Sequence, residues 1–489
     1  MLIAAITLAA LSLSADFTVP AGKIRRELHS SGFGPQICSC PQEYIDNLKS
    51  FGMKASRTHD WALINPNERV CDNHMVFPLE HLDPRDSKSY YFKATDFLLK
   101  RTREEVGHDV FYRLGTSIEH AYSGAKFNCN IPKDFDLVAE NFAATVRHYN
   151  RGWADGFNWN IKYWEIWNEP DGISNMWWLD DNDPRFTNKP ADMSDKKAVD
   201  AARNQRCREL FVEFFVTCLK RLKSEFGDTI KVGGPAMCSM NIGYFKDILE
   251  ACKKAGVAPD FISWHHYMEN SDDAVNAIAN ARKLCDSLGF ENCELIINEW
   301  HYFSYSDYNW TTLRSPHPEA IKKCWTGPRS HNGIDSSAFL LSTVSRFHDT
   351  DLSQGYYYGC RNVGSWGYMD ELKQKYKVFY ALQLMGKFVK NYSERFAAKG
   401  ENPKGPPIAT VLAAKSADGK KSALLISDYR IRTKEIAVDV RGISADSKVK
   451  ATVLDYTHDL APAEVTFKDG KLTIVKADEE SAAYLVEFE

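Results

Sequence analysis

A chain of 489 residues is long for one hydrophobic core, so a large domain with a smaller companion is expected. Its composition, 44% hydrophobic and 26% charged, is that of an ordinary soluble globular protein. The formal net charge of -4 removes the basic excess that nucleic acid or an anionic membrane would attract, so neither is an expected partner.

In chain order, Leu2 to Leu13 is an apolar run with Ala and Ser that ends near Ser14-Ala15. It reads as the apolar part of a signal peptide over residues 1–15, which predicts a secreted or periplasmic protein, although the basic segment that usually opens such a signal is missing. No run reaches the length needed to span a bilayer. Residues 16–395 then alternate short apolar strands with amphipathic helices, the pattern of a parallel sheet with crossover helices. Strand ends fall at Ser30-Ser31-Gly32, Arg57-Thr58-His59, Tyr112-Arg113-Leu114-Gly115 and Trp167-Asn168-Glu169. Four more fall at Val232-Gly233-Gly234-Pro235, Ile262-Ser263-Trp264-His265, Ile297-Asn298-Glu299 and Tyr356-Tyr357-Tyr358-Gly359. Between them, stripes such as Leu210, Phe211, Phe214, Phe215, Cys218, Leu219 and Leu222 keep helical spacing and serve packing. Eight such units predict an α/β fold, a (β/α)8 TIM barrel, with its active site at the carboxyl ends of the strands.

The character changes after about residue 390. Asn402-Pro403-Lys404-Gly405-Pro406-Pro407 reads as a linker, and short alternating strands with Asp418-Gly419 and Asp469-Gly470 turns predict a C-terminal all-β sandwich over 405–489. Phe17–Val19 is a candidate extra strand for it. The 12 cysteines carry no zinc spacing, Cys38-Ser39-Cys40 being too close, and mostly free thiols are expected, with Cys285 and Cys293 the one pair that could join.

The chemistry concentrates in Tyr163-Trp164-Glu165-Ile166-Trp167-Asn168-Glu169-Pro170 and Leu295-Ile296-Ile297-Asn298-Glu299-Trp300, two apolar runs that each deliver a carboxylate. Burying an unpartnered carboxylate is costly, so two of them at barrel strand ends point to a shared cavity and to glycosidic bond cleavage. Pro170 pushes Glu169 out of helix, which stops the strand there. Asn168 is placed to hydrogen-bond a sugar 2-hydroxyl, with a turn-forming Asn as the structural alternative. His265 and Tyr267 could donate to the Glu299 carboxylate. Arg57, His59, Glu119 and His120 follow the second and third strands as candidate site-lining residues. A metal site built on His59, His120, His265 and His266 lacks a carboxylate ligand set, so no metal or other cofactor is expected. Trp177, Trp178, Trp300, Tyr302, Tyr305 and Trp310 follow the two Glu-bearing strands, and some of them are expected to form a sugar platform, with Trp300, next to Glu299, a candidate substrate-binding residue.

These motifs resemble glycoside hydrolase family 39, in the clan of barrel enzymes with the acid/base after strand four and the nucleophile after strand seven. The resemblance covers roughly residues 28–390. It rests on Trp164 to Asp171, Lys231-Val232-Gly233-Gly234-Pro235-Ala236, Asp260-Phe261-Ile262-Ser263-Trp264-His265-His266-Tyr267, Asn298-Glu299 and the Arg57-Thr58-His59 triplet. It implies retention of anomeric configuration, with Glu169 as acid/base, Glu299 as nucleophile and Asn168 as the 2-hydroxyl ligand. His265 and Tyr267 match the family's His-x-Tyr, and a β-sandwich after the barrel is a family feature. One departure bears on specificity. Where xylosidase-like members end strand eight in Tyr-Trp, this chain has Tyr357-Tyr358-Gly359-Cys360-Arg361. Arg361 could bind a uronate carboxylate bidentately or form a structural ion pair. The sequence therefore predicts a metal-free retaining glycosidase acting on an oligosaccharide or polysaccharide, a xyloside, uronide or related glycan. The alternative is a catalytically silent carbohydrate-binding barrel.

Overall fold

The computed structural model describes residues 11–35, 41–59, 61, 70–78, 81–116, 130–172, 177–364, 366–370, 372–401 and 406–489. The first strand, β1 (Leu11–Lys23), belongs to the sheet domain. The next eight form the barrel: β2 (Ser30–Ser31), β3 (Ala55–Arg57), β4 (Asp109–Leu114), β5 (Tyr163–Ile166), β6 (Lys231–Met237), β7 (Phe261–Met268), β8 (Glu294–Tyr302) and β9 (Leu352–Tyr357). They are parallel and follow one another around a closed barrel, with β2 paired to β9. Each of the eight strands read from the sequence is present.

Strand alternation explains what fills the barrel. Ala55, Phe111, Phe261, Ile296 and Tyr356, with Tyr163 against them, form one apolar layer across the interior. Two residues further along the same strands stand Arg57, Arg113, Ser263, Asn298, Tyr358 and Glu165. The layer toward the strand carboxyl ends is thus polar, and all six of these side chains are buried. A hydrophobic plug therefore supports a charged floor. Part of that floor, Arg113, forms an ion pair through its Nη2 with Asp72 from the segment after β3.

The remaining strands are β10 (Glu394–Lys399), β11 (Ile408–Lys415), β12 (Ser422–Tyr429), β13 (Glu435–Arg441), β14 (Val449–Leu454), β15 (Asp459–Ala463), β16 (Val465–Lys468), β17 (Lys471–Val475) and β18 (Ala482–Phe488). With β1 they make one ten-stranded, mostly antiparallel sheet. Its two halves close on a single core that includes Leu13, Val411, Leu424, Val438, Ile474 and Val486, and Phe467 of edge strand β16 meets Phe488 of β18. This is the expected sandwich with three additions. β1 is far longer than Phe17–Val19 and lies between β10 and β13. The segment 1–15, read as an export signal, thus ends inside this strand, where Leu13 and Ala15 are buried. β10 begins before the Pro-rich linker, of which residues 402–405 lie outside the described residues. β15 carries Pro462, a residue that argues against a strand except at an edge, and an edge is where it lies.

The helix Ile334–Phe347 joins the two domains. It is buried along almost its whole length, which explains why its sequence is apolar or small on every face. Ser427 of β12 donates to the Ala338 carbonyl at 2.7 Å across this contact. All nine described cysteines are free thiols, and eight are buried.

Burial also makes the fold sensitive to acid. His29, His266, His301 and His348 are pushed from 6.5 down to about 4, chiefly by desolvation, and His108 to about 3 for the same reason. Unfolded imidazoles titrate near the ordinary value, so between there and the folded values the unfolded chain binds more protons, and stability falls as pH drops through that window. Each such proton costs about 1.4 kcal/mol per pH unit. Thermal midpoints measured from pH 7 to pH 4 are therefore expected to fall steeply below about pH 6.5. A midpoint independent of pH from 6.5 to 4.5 would refute the burial of these rings.

Candidate active site

The floor of the barrel mouth is organised by Arg57, which has no exposed surface. Its Nε donates to Glu165 Oε2 at 2.7 Å, its Nη1 to Glu299 Oε1 at 3.0 Å and its Nη2 to Asn168 Oδ1 at 2.7 Å. One rigid guanidinium fork thereby sets three side chains from two strands. Glu165 is completed by Ser263 Oγ at 2.6 Å and Asn298 Nδ2 at 2.7 Å, both reaching its Oε1. Such a fully hydrogen-bonded buried carboxylate is a fixed part of the scaffold.

Glu299 sits above this floor. Its Oε1 also meets His59 Nε2 at 3.3 Å, and its Oε2 accepts from the Tyr267 hydroxyl at 2.8 Å. Simple alternation would turn Glu299 outward once Ile296 and Asn298 face in. A register irregularity against β7, where Trp264 pairs with Ile297 and His265 with Glu299, resets the parity and brings both Asn298 and Glu299 inward.

Glu169 arrives from β5 through a strained turn. Trp167 and Glu169 have φ values of 73° and 46°, left-handed for non-glycine residues. The residue before a proline is expected extended. Here the Glu169 N–H donates to Ala236 O at 2.9 Å and the Trp167 N–H to Leu114 O at 2.8 Å, which hold the turn against its preference. Gly115 makes room, since a Cβ there would stand 2.7 Å from the Trp167 ring.

His265 joins the two acids. Its Nδ1 lies 3.0 Å from Glu169 Oε1 and 3.3 Å from Glu299 Oε2. Burial is the largest influence on this imidazole and lowers its pKa. A neutral ring facing two carboxylate oxygens carries its proton on Nδ1. Because one nitrogen touches both acids, their nearest oxygens cannot lie farther apart than those two contacts laid end to end. The acids differ in access, with the Glu169 side chain 20% exposed and that of Glu299 5%. Asp171 lies beyond Glu169, and burial above all pushes its pKa up.

An aromatic wall borders the acids. The Tyr267 ring has Trp310 at 5.3 Å, Trp366 at 5.9 Å and Tyr358 at 6.3 Å between centroids. Arg361 stands at its edge, its guanidinium 4.8 Å from the centroid of the Phe33 ring, which in turn packs on Tyr358.

Of the residues named from the sequence, Arg57, His59, Asn168, Glu169, His265, Tyr267 and Glu299 converge, and Arg361 flanks them. Glu119 lies outside the described residues, as does His120. Trp300 is a correction. β8 continues to Tyr302, so alternation turns Trp300 away from Glu299, and it is buried against Phe347 and Tyr357 on the outer face of the barrel. Trp177 is core, packed on Phe211 and Phe214. His265 and His266 are adjacent on β7 and so face opposite ways. Among the described residues no group of three or more His, Cys, Asp or Glu is arranged to hold a metal. The reading missed Glu165, whose signal was a charge inside the apolar run Tyr163–Ile166 at even spacing from Glu169. It also missed Trp366, which carries no local signal.

No family model matches the sequence. A curated β-xylosidase of Geobacillus stearothermophilus is 24% identical over 303 residues, 57% of this chain and 53% of the relative, so the match spans about half of that protein. Among solved structures, a glucosidase from Croceicoccus marinus superposes with a TM-score of 0.73 at 19% identity, covering 98% of this chain and 99% of that one. A family 39 β-xylosidase from Caulobacter crescentus gives 0.63 at 16% identity, covering 98% and 100%. The chain is thus similar to glycoside hydrolase family 39, in its motifs and in the barrel-plus-sheet architecture that it has in common with a solved member.

Proposed function

We propose that this chain is a retaining glycoside hydrolase acting by double displacement. The observation that carries this reading is the joint hold of His265 Nδ1 on Glu169 and Glu299. It favours the roughly 5–5.5 Å carboxyl spacing of a direct nucleophile over the wider gap that admits a water between acid and base.

The surroundings assign the roles. Glu299 is the more buried acid and receives the Arg57 guanidinium and the Tyr267 hydroxyl, which favour its anion. Two carboxylates this close cannot both ionise cheaply, so the proton resides on the more open Glu169, toward the solvent and the leaving group. In the first step a Glu299 oxygen bonds to the anomeric carbon as the bond to the leaving oxygen breaks, and that oxygen takes the Glu169 proton. In the second step water attacks the same carbon, its proton passes to Glu169 and the ester to Glu299 breaks. The Asn168 Nδ2, buried and without a hydrogen-bond partner among the described residues, is a donor for the sugar 2-hydroxyl, a contact that tightens in the transition state. The wall of Tyr267, Trp310 and Trp366 offers flat faces for sugar C–H groups. The substrate is an oligosaccharide or polysaccharide, a xyloside, uronide or related glycan, with Arg361 beside the wall as the candidate determinant for an acidic sugar.

The test is a panel of 2-deoxy-2-fluoro aryl glycosides followed by intact-mass and peptide mass spectrometry. One glycosyl unit on the peptide bearing Glu299 is the expected outcome. A chain that binds sugars but takes no label from any of them would be a silent carbohydrate-binding barrel.

A further inference from the structure

We infer that Arg430, from the sheet domain, is a positioning residue for the sugar site, a role that rests on the glycosidase reading above. Arg430 directly follows β12 and is held at φ 61°, left-handed for a non-glycine residue. From there it reaches across to the barrel mouth. Its Nε donates to Asp335 Oδ2 at 2.7 Å and its Nη1 to Glu269 Oε2 at 3.4 Å. Its Nη2 donates to the Tyr302 hydroxyl at 2.6 Å, to Ser304 Oγ at 3.2 Å and to Asp307 Oδ2 at 3.4 Å.

Asp335 opens the helix Ile334–Phe347, and the other four acceptors lie where the chain leaves the site-bearing strands. Glu269 follows β7, which supplies His265 and Tyr267, and Tyr302 ends β8, which supplies Glu299. Three carboxylates face a single guanidinium, so without it they would repel one another in a half-buried setting. The turn that follows β8 is wound onto the same centre. Ser304 Oγ donates to Asp307 Oδ2 at 2.6 Å, and the Ser306 N–H donates to Glu269 Oε1 at 2.9 Å. The residues flanking this turn are the wall itself, since Phe303 packs on Trp310 at 4.5 Å and Trp310 stands over Tyr267. The chain of contact runs from Arg430 through the turn 304–308 to Trp310 and Tyr267, and by the Tyr267 hydroxyl to Glu299. The sheet domain is thereby part of the substrate site although none of its side chains touches the acids in the contacts described.

The experiment compares Arg430→Met, Arg430→Lys and the milder Asp307→Asn with the full-length parent, using aryl glycoside kinetics and limited trypsin digestion. Exposed Arg314, Lys322 and Lys323, downstream of the turn, are the cleavage sites to follow. Arg430→Met is expected to raise KM about tenfold or more with kcat within about threefold, because the wall serves ground state and transition state alike. Arg430→Lys keeps one charge among the three acids and recovers part of the loss, and Asp307→Asn shifts KM in the same direction by less. Trypsin cleaves Arg430→Met faster at the named sites. Ser427→Ala, which removes a different inter-domain hydrogen bond, leaves KM and cleavage unchanged. Equal KM in Arg430→Met and parent, or an equal rise in Ser427→Ala, overturns the proposal, as does an unaltered cleavage rate. A parent inert on every glycoside, with cleavage behaving as stated, sinks the glycosidase reading and leaves the clamp on the turn standing.

Discussion

Glu299→Ala is expected to lower turnover of an aryl glycoside by roughly 10⁴-fold or more, a loss of about 5 kcal/mol in transition-state stabilisation. The side chain lost is the one that receives Arg57, Tyr267 and His59, and no other acid can replace it, because Glu165 is already fully engaged by Arg57, Ser263 and Asn298. Glu169→Ala should behave differently, and the contrast is the informative part. With a poor leaving group the missing proton costs about 10²–10⁴-fold. With a dinitrophenyl leaving group the first step needs no acid, so glycosyl-enzyme accumulates and its hydrolysis becomes slow. Azide, a nucleophile that needs no general base, should then restore turnover and yield a glycosyl azide of retained configuration. Restoration in Glu299→Ala instead, or near-parental activity in both variants, would reverse or end the assignment.

Arg57→Met is the second large effect, and it is one of stability as well as activity. The guanidinium is wholly buried between Glu165 and Glu299. Removing one partner of a buried ionic cluster leaves uncompensated charge and costs about 3–5 kcal/mol. The variant should unfold at clearly lower urea concentration and be inactive even where it is folded. Arg57→Met/Glu165→Gln should regain part of the stability, since the stranded anion is then gone, and the double-mutant cycle would read the coupling directly. Activity would not return, because Asn168 and Glu299 would still lack the fork that orients them. A urea midpoint for Arg57→Met equal to that of the parent would remove Arg57 from the centre of the site.

Much of this was legible in the sequence because strand ends announce themselves. An apolar run that stops at Glu169-Pro170 or at Gly233-Gly234-Pro235 has few other places to go than a barrel rim, and the seven converging site residues all sit at such ends. What failed was parity. Trp300 follows Glu299 in sequence and so looked like its neighbour in space, yet a strand that runs on to Tyr302 puts consecutive residues on opposite faces. Glu165 was hidden for the converse reason, since its role depends on an inward direction that a four-residue run does not declare. Arg430 and Trp366 were beyond reach altogether. Trp366 meets Tyr267 and Trp310 from a different loop of the barrel mouth, and Arg430 meets Glu269 only because the sheet domain packs on the helix Ile334–Phe347.

The placement of β1 has a consequence for how the chain matures. This strand is made first, yet its parallel partner β13 begins at Glu435, more than 400 residues later. During synthesis the barrel can therefore close while β1 still waits with both its backbone edges unsatisfied, and the slowest event in folding is expected to be a long-range docking that comes after nearly everything else. A fragment beginning at β10 would carry the matching gap, two open strand edges in the middle of its sheet, and would be prone to recruit the missing strand from a neighbouring molecule.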